Sequence, residues 1–243
     1  MKKRLIISAI IALGALVGLT GCGQASATHH TSTVRNIGTT SDTISIETKT
    51  GTQNGGVAQV TLLSSVGNYY QYALPIQRGQ IDGTITVPWS GKTSIEVTNG
   101  PKMLENVDAT VKGAALSEQQ LDLLPSYLMD SNIPTVAQQA HAIASSVTTK
   151  GTKRNLAVAS VTMQWVKQHI HTANQTHTAR ADQTLATRSG GQASRTALAV
   201  ALLRADNIPA RAVGSQTMRD GMYGTSYSVD AWLNGKWLNI GTP

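Results

Sequence analysis

Two hydrophobic periods share this chain, and one kind of secondary structure cannot satisfy both. From Thr43 to Asn99 apolar and polar residues alternate in short runs: "TISIET", "GVAQVTLLSS", "YYQYALPI", "DGTITVPW" and "TSIEVTN". Gly, Asn or Pro separates them, which is the pattern of half-buried strands joined by turns. Beyond residue 118 the period lengthens. Val136, Ala140, Ile143 and Val147 share one helical face, and Leu156, Ala159, Met163, Val166 and Ile170 form a second stripe. Strands first and helices afterwards imply an α+β chain of two units.

The five strand runs suggest a small antiparallel β-sandwich of immunoglobulin-like type over residues 43–99. Gly79, Gly83 and Gly91 are its expected turns, and Trp89 sits at its rim. Residues 100–117 read as a linker and 118–243 as the second unit. Within that unit, 118–129 give a short helix or extended lead-in. Ser131 or Asn132 is the expected cap of a helix with Pro134 in its first turn. His141 reads as a boundary residue. Ala197, Leu198, Ala201, Leu202 and Ala205 give one apolar face of a later helix, which a left-handed Asn207 and then Pro209 would end. The strands "ARAVGSQ", "TSYSVDAWLN" and "KWLNIG" follow, with Asn234-Gly235 as a hairpin turn.

Hydrophobic residues make up 40% of the 243, but only 4% are aromatic and none is Phe, so Val, Ile, Leu and Ala must build the cores. The formal charge is +7, of which Lys2, Lys3 and Arg4 supply three; the remaining charge, about +4, forms no block, so no nucleic-acid partner is expected. Those three residues precede an apolar stretch, Leu5 to Leu19, that is short for a bilayer span and suits a signal peptide over 1–21.

Leu19-Thr20-Gly21-Cys22 resembles the bacterial lipobox. The resemblance implies a diacylglycerol group on the Cys22 thiol, cleavage that leaves Cys22 first, and an anchor of more than one acyl chain. The expected location is the cell membrane, facing outside the cytoplasm. Residues 22–42 are polar and read as a flexible tether, with His29 and His30 solvated in it. Cys22 is the only cysteine, so once acylated it leaves no thiol and no disulfide. His169, His171 and His177 do not read as a metal site: residues two apart on a helix diverge, and no carboxylate or thiol stands at ligand spacing. Apart from the lipid, no cofactor is expected.

Residues 124–243 resemble the transglutaminase-like superfamily, which has a papain-like fold of helices and an antiparallel sheet. "MQWVKQHI" is similar to the helix preceding the family's active site, and "LATRSGGQ" to the loop entering its nucleophile helix. "ALLRADNIPAR" is the most specific match, and "VDAWLNGKWLNIGTP" is similar to the strands that carry the catalytic histidine and aspartate. The resemblance places the family's cysteine at Gln192, its histidine at Asp230 before Ala231-Trp232, and its aspartate at Gly241. All three are substituted. A carboxamide has no proton worth removing and is not a nucleophile, and without base or orienting group the triad logic fails.

The resemblance therefore implies a retained cleft without its chemistry, lined by Gln192, Asp230, Trp232 and Trp237, where Gln192, Asp230 and Gly241 converge and Gln192 and Asp230 are close enough for a hydrogen bond or a bridging water. The expected role is non-catalytic binding or scaffolding towards a cell-wall peptide or an envelope protein. The alternative is an atypical hydrolase or acyl transferase with Ser194 as nucleophile and a loop histidine, His169, His171 or His177, as base.

Overall fold

A computed structural model describes residues 33–35, 42–50, 56–174, 177–219 and 222–243. The signal-peptide segment, Cys22, His29, His30 and most of the tether lie outside the described residues.

The first unit is a seven-stranded antiparallel sheet of β1 (Thr33–Arg35), β2 (Thr43–Lys49), β3 (Val57–Ser64), β4 (Tyr69–Gln77), β5 (Gln80–Thr86), β6 (Gly91–Asn99) and β7 (Lys102–Val111), in the order β1-β2-β5-β4-β3-β6-β7. The alternation seen in the sequence holds: Ile44, Ile46, Val60, Leu62, Ile95 and Val97 are all buried in one core. The hydroxyl of Tyr72, buried in that core, donates to the Thr86 carbonyl at 2.6 Å, so its polar end is satisfied.

The ladder is continuous where a sandwich of two separate sheets was expected. β4 pairs with β3 through Pro75 and then with β5 through Ile76 and Gln77, carrying the hydrogen bonding from one half into the other. Period-two alternation reports which face is buried and cannot tell one bent sheet from two.

Three further expectations are corrected here. Residues 100–117 are not a linker throughout, because β7 occupies Lys102–Val111 and pairs along β6 across the Gly100 turn. Residues 33–35 of the tether pair with β2. Gly83 lies inside β5 rather than at a turn; a Cβ there would meet Leu74 Cδ2 at 2.9 Å, so the missing side chain admits Leu74.

The second unit runs from α1 (Glu118–Leu121) through α2 (Pro134–Ser145) and α3 (Arg154–His169) to the two-residue strand β8 (His171–Thr172), α4 (Ala181–Thr187) and a second short strand, β9 (Ser189–Gly190). α5 (Gln192–Ala205), β10 (Ala210–Arg219), β11 (Met222–Leu233) and β12 (Lys236–Gly241) complete it. β10, β11 and β12 form a meander whose last turn, Asn234-Gly235, has positive φ at both residues, as its sequence implies.

Neither cap candidate caps α2. Ile133 is its N-cap with no side-chain bond, while Asn132 Nδ2 donates to the Ala73 carbonyl on β4 at 3.0 Å. The Tyr127 amide also donates to Gln71 O, at 2.8 Å, so the 122–133 segment is fastened along β4.

α5 is the centre of the second unit. Ten of its fourteen residues are buried, from Ser194 to Arg204, so it is covered on all sides and not only along one apolar face. It packs against α2, α3 and α4 and against β10 and β11. Its small alanines permit close approach, and burial of Leu198, Leu202 and Leu203 contributes roughly 1.5–3 kcal/mol each. Asn207 ends it in the left-handed conformation (φ 58°), as expected. Leu156 departs from its predicted stripe: it sits in the first turn of α3 and is exposed, whereas Ala159, Met163, Val166 and Ile170 are buried.

Candidate functional site

The entry to α5 is built by backbone constraints. β8 and β9 pair in parallel, bringing the end of α3 beside Ser189-Gly190. A Cβ on Gly190 would lie 3.0 Å from Ser194 Cβ and 3.1 Å from Thr184 Cγ2, so glycine lets α4 and α5 approach closely here, and a larger residue would push these neighbours by a few tenths of an ångström. Gly191 is then the N-cap in extended conformation, and Gln192 is the first helical residue. A polar cavity of about 260 Å³ opens here, lined by His177, Thr178, Gly191, Gln192, Ala193, Ser194, Thr225 and Tyr227.

Gln192 spans this cavity to β11. Its Nε2 donates to Ser226 Oγ at 3.3 Å and to the Tyr227 carbonyl at 3.4 Å. The Tyr227 carbonyl also accepts from Thr242 Oγ1 at 3.2 Å, so the chain segment after β12 meets Gln192 at one acceptor. Ser194, the alternative nucleophile, is buried, and its Oγ accepts the Ala179 amide at 2.9 Å. That bond ties the loop of His177 to the first turn of α5.

Asp230 is elsewhere, with Trp232 and Trp237. Val229, Ala231 and Leu233 are buried in the core that contains α5, so alternation along β11 gives Asp230 and Trp232 the opposite face. An irregularity in register between Val229 and Asp230 falls at this point. Asp230 Oδ1 accepts from Asn239 Nδ2 at 2.8 Å, and Oδ2 lies 3.9 Å from Arg211 Nε. Arg211 stacks over Trp237 at 4.1 Å, and Trp237 meets Trp232 edge-on at 5.6 Å. Among the described residues no hydrogen bond joins Gln192 to Asp230, and neither tryptophan lines the cavity. Gly241, with φ 92°, donates its amide to Asn239 Oδ1 at 3.2 Å. The structure thus brings Gln192 together with Ser226, Tyr227 and Thr242, while Asp230 is bonded to Asn239 and lies near Arg211. Whichever β11 residue is compared, the groups that meet Gln192 are a serine hydroxyl and a carbonyl, and no imidazole occurs after His177.

The remaining histidines have local roles. His169 stacks on Trp165 at 4.8 Å, and Arg188 lies over the same indole at 5.0 Å. His141 Nδ1 lies 3.1 Å from Asp206 Oδ1, at the C-terminal end of α5. Among the described residues no group of three or more His, Cys, Asp or Glu side chains is placed to hold a metal ion.

One cluster behind the cavity escaped sequence reasoning. Asp130 is fully buried; burial first, and then the Asp182 carboxylate, push its carboxyl up to about 8. Its Oδ1 accepts the Asp182 amide at 3.1 Å, while Arg180 pairs with Asp182 at 3.0 Å and donates to Tyr127 Oη at 3.3 Å. This network anchors the start of α4, next to the cavity loop. No spacing signal marks it, since Asp130 and Asp182 are far apart in the chain.

A buried central helix whose N-terminus opens into a cavity beside an antiparallel meander defines the class of domain. Residues 141–242 match the family model of the transglutaminase-like superfamily, and this part of the chain is a transglutaminase-like domain. Similar solved structures include a protein described as a cysteine protease from Cytophaga hutchinsonii. It is 13% identical, with 82% of this chain and 74% of that one covered and a TM-score of 0.43. The periplasmic domain of TgpA from Pseudomonas aeruginosa, bound to ethylmercury, is 17% identical over 82% of this chain and 70% of that one, with a TM-score of 0.39. No curated protein matches the chain.

Proposed function

We propose that this protein is a membrane-anchored lipoprotein whose transglutaminase-like domain binds rather than catalyses. Cys22 carries the lipid, residues 22–32 tether the fold, and the cavity at the start of α5 holds a peptide of the cell wall or of an envelope protein. The observation that carries the reading is Gln192. At the helix start, where the resemblance places a cysteine thiolate, a carboxamide is tied to Ser226 and the Tyr227 carbonyl. An amide there can accept and donate hydrogen bonds to a peptide but cannot attack it. The lining offers hydroxyls, an imidazole and backbone groups, which suits polar recognition in a small space.

Titration of the purified protein with soluble cell-wall stem peptides tests this. Saturable binding is expected, and Gln192→Trp, which fills the cavity, should weaken it at least about tenfold, a loss of roughly 1.4 kcal/mol. Absence of binding, or binding unaffected by Gln192→Trp while the fold is retained, would refute the cavity as the ligand site.

A further inference from the structure

His177 and Thr178 line the cavity on a segment that hangs from a buried carboxyl. Asp130 is fully buried, and its Oδ1 accepts the Asp182 amide at 3.1 Å. The Ala181 amide donates to Leu128 O at 2.9 Å. Two residues earlier, the Ala179 amide donates to Ser194 Oγ at 2.9 Å, and Ser194 lines the same cavity. Residues 177–182 are therefore fixed to residues 128–130 at one end and to α5 at the other.

The second oxygen of Asp130 makes this arrangement depend on a proton. Oδ2 is buried without a hydrogen-bond partner, and Arg180 Nε lies 3.6 Å from it. That guanidinium is already engaged: Nε and Nη2 donate to the two oxygens of Asp182 at 3.0 Å each, and Nη1 to Tyr127 Oη. The Asp182 carboxylate is also within side-chain hydrogen-bond reach of Asp130. One proton between the two carboxyls satisfies Oδ2; without it, two like charges share one guanidinium in a buried site. Titratable groups on the neighbouring elements are engaged elsewhere. On β4, Tyr70 bonds to the Leu124 and Pro125 carbonyls, Tyr72 to Thr86 O, and Tyr69 lies by Thr61 and Glu96. On α2, His141 pairs with Asp206; on α5, Arg204 pairs with Asp122 and Arg195 donates to Thr172.

We propose that Asp130 is a positioning residue for the cavity: protonated, it holds residues 177–182 against α5, and ionised, it releases that wall and weakens ligand binding. The binding half of the inference rests on the cavity being the peptide site. Burial first, and then Asp182, push the Asp130 carboxyl up to about 8 in the held arrangement, against an ordinary 3.8 once released to water. The held arrangement therefore prefers the proton. Below about pH 4 both states carry it and the hold is at full strength. From there to about pH 8 each unit shifts the balance up to about tenfold towards release, and beyond that no further.

The acylated full chain in detergent micelles, isotope-labelled for amide NMR, would be titrated with a soluble cell-wall stem peptide between about pH 5 and about pH 8.5. Wild-type affinity is expected to fall about tenfold or more over that range. Asp130→Asn should hold its affinity constant, because its carboxamide still accepts the Asp182 amide and supplies a donor where the proton was. The amide signals of Thr178, Ala179 and Asp182 should move together with pH in the wild-type protein and stay fixed in Asp130→Asn. Equal pH dependence of the two proteins, or an Asp182 signal that titrates while Thr178 and Ala179 do not, would overturn the positioning role. An Asp130→Asn chain that fails to fold would overturn it too, since the amide should mimic the protonated carboxyl. Joint movement of the three amides with no peptide bound at any pH would support the positioning role and refute the peptide reading instead.

Discussion

Arg204 is the residue whose loss should be felt furthest from where it stands. It is buried on α5, and its fork fastens two segments: Nε donates to Ala210 O at 2.8 Å, Nη1 to Leu124 O at 2.6 Å, and Nη2 to Asp122 Oδ1 at 3.4 Å. Arg204→Met keeps most of the stem volume but leaves two carbonyls and a carboxylate without that donor. Removing one member of a buried ion pair costs about 3–5 kcal/mol, and the longer Asp122 contact and the remaining Arg211, 3.6 Å from Asp122, argue for the lower half of that range. Arg204→Lys should lose about 2 kcal/mol, because a single ammonium cannot reach three acceptors in one plane.

The deficit should depend on pH. Burial raises the Asp122 carboxyl above its ordinary 3.8, and Arg204 opposes that rise. Without Arg204 the folded-state value moves further up, so the unfolded chain ionises more readily than the folded one. The deficit is then smallest below about pH 4, where Asp122 is protonated in both states, and grows as pH rises through the folded value. Urea unfolding at several pH values measures both effects, and amide exchange at 122–125 should report the loosened segment. A loss under about 1 kcal/mol, or one independent of pH, would refute the reasoning.

Two other perturbations follow from the geometry. Asp130, with its carboxyl pushed up to about 8 from 3.8, should cost stability as pH rises from about 4 to 8, at no more than ~1.4 kcal/mol per pH unit, and Asp130→Asn should flatten that slope in thermal unfolding scans. Gly113→Ala would place a Cβ 2.0 Å from the Trp89 carbonyl oxygen, so about 3 kcal/mol of destabilisation is expected by denaturant titration.

The parts legible in the sequence were those with a strong period or a committed turn. β2 to β6, α3, α5 and the Asn234-Gly235 hairpin fall where alternation, helical stripes and positive-φ residues place them. β7 alternates only over its second half, at Val107, Ala109 and Val111, and "KMLEN" before it has no apolar period; Val111 alone is buried, so the strand merges with its polar surroundings. α4, "ADQTLAT", is too short to display a helical period. At the site, counting along the family pattern put Gln192 at the helix start, on the cavity. The same counting could not assign Asp230 to a face of β11, since that depends on which neighbours the core claims: Val229, Ala231 and Leu233 took the side facing α5. The buried Asp130 network was invisible because tertiary packing alone joins its members.

The central claim is that the cavity at Gln192 performs no acyl transfer. Incubating the purified protein with a glutamine-containing peptide and an amine acceptor, with mass spectrometry of the products, tests it most directly. The account predicts an unchanged peptide, identical for the wild-type protein, Gln192→Ala and Ser194→Ala, and indifferent to thiol alkylation. Deamidated or amine-linked product from the wild-type protein, lost in Ser194→Ala, would contradict it.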